Sequence, residues 1–185
     1  MLLKNYDMGF LDFAIRLKIL VEELEGNREE ESVVIAGDVM AQIRNRVQER
    51  KVDADGSPFG QYSQALVPQW FFYGKSNNQT AEADLRAGNW FVSYAEFRDL
   101  NNLPSDDIDF TFSGDLFRTT GVVTVENDDD STTVVLGGQN ARSEQILEWQ
   151  EPRYGNIIEP SEQEIEFAFD AHRERVFNTI NRILQ

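Results

Sequence analysis

Apolar residues recur at helical spacing near both ends of the chain. From Gly9 to Glu25, Phe10, Phe13, Ala14, Leu17, Leu20, Val21 and Leu24 fall on one stripe, which predicts a helix. Leu11, Ile15 and Ile19, spaced i, i+4, i+8, fall on a different face of the same helix. Two apolar faces leave two arrangements open: a helix central to the core, or one packed on its own domain and on a neighbouring subunit. Gly26-Asn27 supplies the stop. A second helix is expected from about Glu30 to Arg50, with Val33, Ala36, Gly37, Met40, Ile43, Arg44 and Val47 on one face. Glu29, Glu30 and Glu31 sit near its positive end, while Arg44, Arg46, Arg50 and Lys51 crowd the negative one. Gly37 is a poor helix former, so close approach of another element is expected there.

The middle of the chain has no clean period. Tyr62, Trp70, Phe71, Phe72, Tyr73, Trp90, Phe91, Tyr94 and Phe97 concentrate the aromatics between Ser57 and Leu103, and read first as core. The polar tract Lys75–Thr80 separates two clusters and predicts a loop projecting as far as Asp84. A short helix is expected from Ser93 to Asn102, stopped by Pro104. Asp107 to Gly138 is the clearest β region: Ile108–Phe112 alternates, Ser113-Gly114 breaks the run, and Val122–Glu126 and Thr132–Leu136 flank a hydrophilic hairpin tip at 127–131. A helix from Asn140 to Gln150 follows, ended by Pro152. Ser161 with Glu164 three residues on is a capping box opening the last helix. There Ile165, Phe169, His172, Val176, Ile180 and Ile183 define one stripe expected to be buried, with Phe167 opposite it.

Length and composition narrow the class. A chain of 185 residues with 41% hydrophobic residues and 13 Phe suits a single domain, residues 1–185, with an N-terminal helical segment over about 1–50. The absence of cysteine excludes disulfides and thiolate metal sites. No apolar run reaches the ~20 residues of a membrane span, so no membrane partner is expected, and the chain reads as soluble in its host cytoplasm. The net charge of −16 argues against coating nucleic acid, which takes clustered Lys and Arg. It serves solubility, or an acidic surface that keeps passing DNA from sticking.

Little in the residues suggests turnover. The Asp128–Asp130 tract lacks the Gly and the following Glu of a calcium loop. His172, the only histidine, lies on an apolar stripe and reads as a packed, hydrogen-bonded core residue. No phosphate-binding loop, dinucleotide motif or zinc-protease motif is present. Carboxylate pairs at glycosidase spacing arise by chance among 33 acidic residues. No catalytic site, cofactor or metal is expected.

The segment Arg50–Tyr73, RKVDADGSPFGQYSQALVPQWFFY, resembles the "R…D…G…F…YS" segment that follows the long helix in phage tail-completion and neck proteins, the virion-morphogenesis family. The order of later elements is similar too. DIDFTFSGDLFRT (Asp107–Thr119) precedes a hairpin; then come Asn140 with a short helix, Arg153, an apolar pair and the helix opened by Ser161. The resemblance runs from about Met40 to the C-terminus. It implies an α+β fold, with long helices packed on an antiparallel β-sheet and a protruding hairpin. It also implies a sixfold or twelvefold ring of identical subunits at the head–tail junction of a virion assembled in the host cytoplasm. Portal or adaptor proteins and tail-tube or sheath proteins would be its neighbours, and DNA would pass without specific binding. The aromatic richness of Gln61–Leu103 and the acidity depart from the pattern, leaving open whether such a ring is tail terminator, stopper or another collar component.

A rotationally closed interface takes two different sticky surfaces per subunit. Candidates are Leu11, Ile15 and Ile19, Phe167, and Trp70 and Phe71, with Asp128, Asp129 and Asp130 expected at the lumen or the adjoining ring. The alternative is an acidic DNA mimic that inhibits a nucleic-acid enzyme.

Overall fold

The structure, a computed structural model, describes residues 10–76, 78–88, 91–111, 115–128 and 131–185. Gly9, Trp90, Phe112, Ser113-Gly114, Asp129 and Asp130 therefore lie outside the described residues, as do the side chains of Phe10 and Asp115. Helices α1 (Phe10–Gly26) and α2 (Arg28–Asn45) form an N-terminal pair, and α2 continues into a π-helical turn at Arg46–Arg50. Lys51 ends that turn in the left-handed conformation at φ 60°. Next come β1 (Val67–Pro68), a 3₁₀ turn (Gln69–Phe72), α3 (Gln79–Ala87), β2 (Phe91–Val92) and α4 (Tyr94–Leu100). The chain finishes with α5 (Asp115–Arg118), β3 (Thr120–Asn127), β4 (Thr132–Gly138), α6 (Ala141–Tyr154) and α7 (Glu162–Leu184). This is an α+β fold with two small antiparallel sheets, β1–β2 and β3–β4.

The main core lies between α2, the hairpin and the start of α7. Val39, Met40, Ile43 and Val47 pack there with Leu116, Phe117, Ile157, Ile158 and Ala168. A second core of Phe72, Leu85, Val92 and Phe97 holds together an aromatic lobe of β1, β2, α3 and α4. Tyr62, Ala95 and Ile108 form a third cluster, with Tyr94, Phe110 and Tyr154 packed against it. Here Phe59 meets Phe110 edge-on at 4.8 Å, and Phe110 meets Tyr154 edge-on at 5.1 Å.

The β3–β4 hairpin lies along α2 instead of protruding. At its base Arg44 donates to the Thr120 carbonyl at 2.9 Å; at its tip Arg28 donates to the Asp128 carbonyl at 2.5 Å and Asn127 donates to Glu29 at 2.9 Å. The lengths agree. Sixteen helical residues rise about 24 Å and seven strand residues about 23 Å, so α2 backs the hairpin from end to end. A shift of register between Val122 and Thr124 marks a bulge in β3. Gly138 is required where β4 meets α6, because a Cβ there would stand 2.5 Å from the Glu144 nitrogen.

Several expectations are corrected. The described part of the expected strand, residues 108–111, is not extended ladder: Gln61 and Asp107 form an isolated bridge, and Phe110 turns the chain at φ 55°. The expected loop over Lys75–Asp84 becomes α3 from Gln79, because Ala81 and Leu85 bury against the aromatic lobe and Asn78 caps Ala81 at 2.5 Å. Pro152 does not end α6; the helix runs through it to Tyr154 and stops at Gly155, φ 69°. Gly37 receives no close neighbour, since a Cβ there meets nothing within 4 Å. On α7 the inward face carries Glu164, Ala168 and Ile183, while Ile165 and Phe169 are exposed.

The polar residues on that inward face are satisfied by arginine partners. Glu164 accepts from Arg46 at 2.8 Å, and Arg46 also donates to the Glu159 carbonyl at 2.7 Å. Arg175 of α7 reaches Glu31 at 3.3 Å and Asp38 at 3.0 Å on α2. His172 lies at the edge of this network, 3.2 Å from Glu31 and 28% exposed, so it is hydrogen-bonded but is not a core residue.

Candidate assembly surface

Helix α1 forms readily: it is rich in Leu, Ile and Glu and contains no interior Gly or Pro. It is nevertheless barely anchored. Leu20, at 8% exposure, is its one buried side chain among the described residues. Two polar ties hold it to the end of α7: Arg16 donates to the Ile183 carbonyl at 3.1 Å, and Arg182 pairs with Glu23. Leu11, Ile15 and Ile19 stand 74%, 50% and 46% exposed, and Phe13, Leu17, Val21 and Leu24 are exposed as well. The arrangement with α1 central to the core is thereby excluded.

So large an apolar surface on one helix is a candidate interaction site. Burying each Leu or Ile fully is worth about 1.5–3 kcal/mol, and among the described residues α1 carries more exposed large hydrophobic side chains than any other element. The other candidates lie elsewhere. Trp70 and Phe71 sit on the 3₁₀ turn of the aromatic lobe, 65% and 51% exposed, with Phe91 exposed on adjacent β2. Lys75 caps the Phe71 ring at 3.7 Å. Phe167 projects from the first turns of α7, and Phe169 and Phe177 are exposed further along it. The structure thus sets the expected contact residues on three separate elements and does not gather them into one pocket. Asp128 is at the hairpin tip, its carbonyl engaged by Arg28 and its amide bonded to Ser131 at 2.9 Å.

Sequence reading missed a cleft of about 550 Å³ between the aromatic lobe and α6. Behind its wall is a buried polar knot. Tyr62 donates to Asp109 at 2.7 Å, Arg98 grips the same carboxylate at 3.0 and 3.2 Å, and the Arg98 guanidinium stacks 4.0 Å from the Tyr62 ring centre. Arg98 also donates from Nε to the Pro104 carbonyl and from Nη1 to the Thr111 carbonyl, so each of its three nitrogens has an acceptor. Burial pushes the Tyr62 hydroxyl well above the usual tyrosine range, with the neighbouring Asp109 carboxylate adding to the rise. A phenol held neutral and already committed to Asp109 is a fastening, not a base or a nucleophile. Arg142 and Arg153, both on α6, also line the cleft. Their eleven-residue separation, three helical turns, is the signal from which a shared face was readable.

Among the described residues no group of three or more His, Asp or Glu side chains is arranged to hold a metal ion, and no helix is long and apolar enough to cross a membrane. No protein-family model, curated protein or solved structure matches the chain.

Proposed function

We propose that this chain is a structural assembly protein whose copies close into a ring, at the head–tail junction of a tailed-phage virion. The observation that carries the ring is α1, a helix whose apolar residues are exposed around most of its circumference while one buried side chain and two polar ties to α7 hold it. A second copy is the occupant this surface suits, because the molecule carries different apolar patches on the aromatic lobe and on α7. Unlike patches pair head to tail and close by rotation. The location rests on the ordered resemblance from Met40 onward. A DNA-mimicking inhibitor would need its carboxylates free, yet Glu23, Glu31, Asp38, Asp109 and Glu164 are each held by an arginine.

Sedimentation of the purified chain tests the ring. Species several-fold above 21.2 kDa are expected as concentration rises, and the double variant Ile15→Asp/Ile19→Asp should stay monomeric with an unchanged circular dichroism spectrum. A wild-type chain that remains monomeric at every attainable concentration, or a double variant that associates equally well, sinks the reading. Gold-labelled antibody on intact particles tests the location: label at the collar supports it, and label anywhere else removes it.

A further inference from the structure

We propose that the cleft between α6 and the aromatic lobe binds an extended acidic peptide segment of a partner protein, with an apolar side chain between two carboxylates. The proposal does not depend on ring closure, since the cleft is separate from α1. Three observations carry it.

The first is charge. Seven of the thirteen arginines pair with carboxylates among the described residues, namely Arg16, Arg46, Arg86, Arg98, Arg173, Arg175 and Arg182, while Arg44 on α2 and Arg50 on the π-helical turn that continues it do not. Arg142 and Arg153, which both reach this cleft, form no ion pair among the described residues. Arg153 stacks over the Tyr154 ring at 5.1 Å, a face contact that does not use its N–H edge, and a guanidinium fork without a carboxylate suits one in bidentate geometry.

The second is spacing. Eleven helical residues put the two arginines on nearly the same face, about 16 Å apart along the axis. An extended chain advances about 3.3 Å per residue, so carboxylates at i and i+4 lie about 13 Å apart on one side of the strand. The reach of two arginine side chains covers the remainder.

The third is the floor. The cleft is lined by the half-buried rings of Tyr94, Phe110 and Tyr154, with Ile146 and Gln150 of α6. Rings accept an apolar side chain, and Gln150 and Ser63 offer partners for a passing backbone. The volume lies within the range of ligand clefts. In the Arg98–Asp109–Tyr62 knot beneath, the guanidinium and carboxylate charges are paired with each other, so the knot contributes rigidity and no unpaired charge.

The test uses the full chain, ¹⁵N-labelled, titrated with the blocked pentapeptide Glu-Ser-Phe-Ser-Glu at millimolar concentration. Amide shifts are expected in α6 and around Tyr62 and Tyr94. Affinity should fall at least tenfold in Arg142→Glu/Arg153→Glu and remain unchanged in Ile15→Asp/Ile19→Asp. Both arginines are exposed; glutamate suits the first turn of α6 at position 142 but opposes the helix dipole in the last turn at position 153, so a matching thermal melt checks the fold of the double variant. The peptide Lys-Ser-Phe-Ser-Lys should not bind. The proposal is overturned if shifts are absent or confined to α1, if the lysine peptide binds equally, or if oligothymidylate of five residues binds the cleft more tightly than the acidic peptide.

Discussion

Asp109 shows how much one residue's environment decides. Its carboxylate is 4% exposed and survives in the interior because Arg98 and Tyr62 supply donors and charge. Removing one member of a buried pair strands the other, at a cost of about 3–5 kcal/mol. Arg98→Met should therefore lose stability of that order in urea denaturation, and a loss under about 1 kcal/mol would show that the pair is not buried in solution. Tyr62 adds a pH dependence. Its hydroxyl is raised above the unfolded value of 10.0, so at alkaline pH the folded state holds a proton that the unfolded state has released. The resulting stabilisation is fully present below about pH 10 and is lost as pH rises from there. Tyr62→Phe should be less stable at neutral pH yet show a shallower alkaline decline. Gly37 works in the opposite direction. Its helical site is exposed with no neighbour, so Gly37→Ala should raise stability by about 0.5–1 kcal/mol, read from the same denaturation curve.

At the scale of elements, legibility in the sequence followed how local the cause was. The Ser161–Glu164 capping box is present with both bonds, Ser161 donating its amide to Glu164 at 2.8 Å. Ser93 with Glu96 makes another, by the same four-residue chemistry. The strands of the hairpin were readable from their β-branched residues, and α1 and α2 from their period. The inward face of α7 was misread because hydrophobicity was taken for burial. Glu164 faces the core since Arg46 meets it there, and that pairing spans residues 118 positions apart. Ile108–Phe112 alternates like a strand in sequence, but Phe110 adopts φ 55° and its ring packs perpendicular to both Phe59 and Tyr154, contacts made by residues distant in sequence. Helix α1 stands apart in energetics as well. With one buried side chain, it should open far more readily than α2 or α7. Hydrogen exchange on the monomer should show α1 amides exchanging fastest among the long helices, with protection appearing on association. Equal protection of α1 and α2 in the monomer would contradict this.

For the whole molecule, apolar patches and charge act against each other. A net charge of −16 per copy opposes close packing of like chains, and salt screens that repulsion within about 8–10 Å at physiological ionic strength. Raising salt from low to about physiological strength should therefore promote self-association through α1. It should weaken the peptide at Arg142 and Arg153, whose attraction salt also screens. Opposite salt responses at two surfaces of one protein can be followed by sedimentation and by peptide titration. Of the candidate contacts, the apolar residues of α1 and Phe167 were visible as surplus hydrophobicity on helical faces; the cleft was not, because its walls come from segments about ninety residues apart, Tyr62 to Tyr154. Local order in this chain, meaning where helices start, where the hairpin turns and how much greasy surface must be hidden, follows from neighbouring residues, since backbone hydrogen bonds and caps reach only a few positions. Which of those surfaces is hidden by the chain itself and which stays exposed was settled by distant partners meeting, Arg46 with Glu164 and α2 with the hairpin, because burial is a property of what covers a residue and not of the residue.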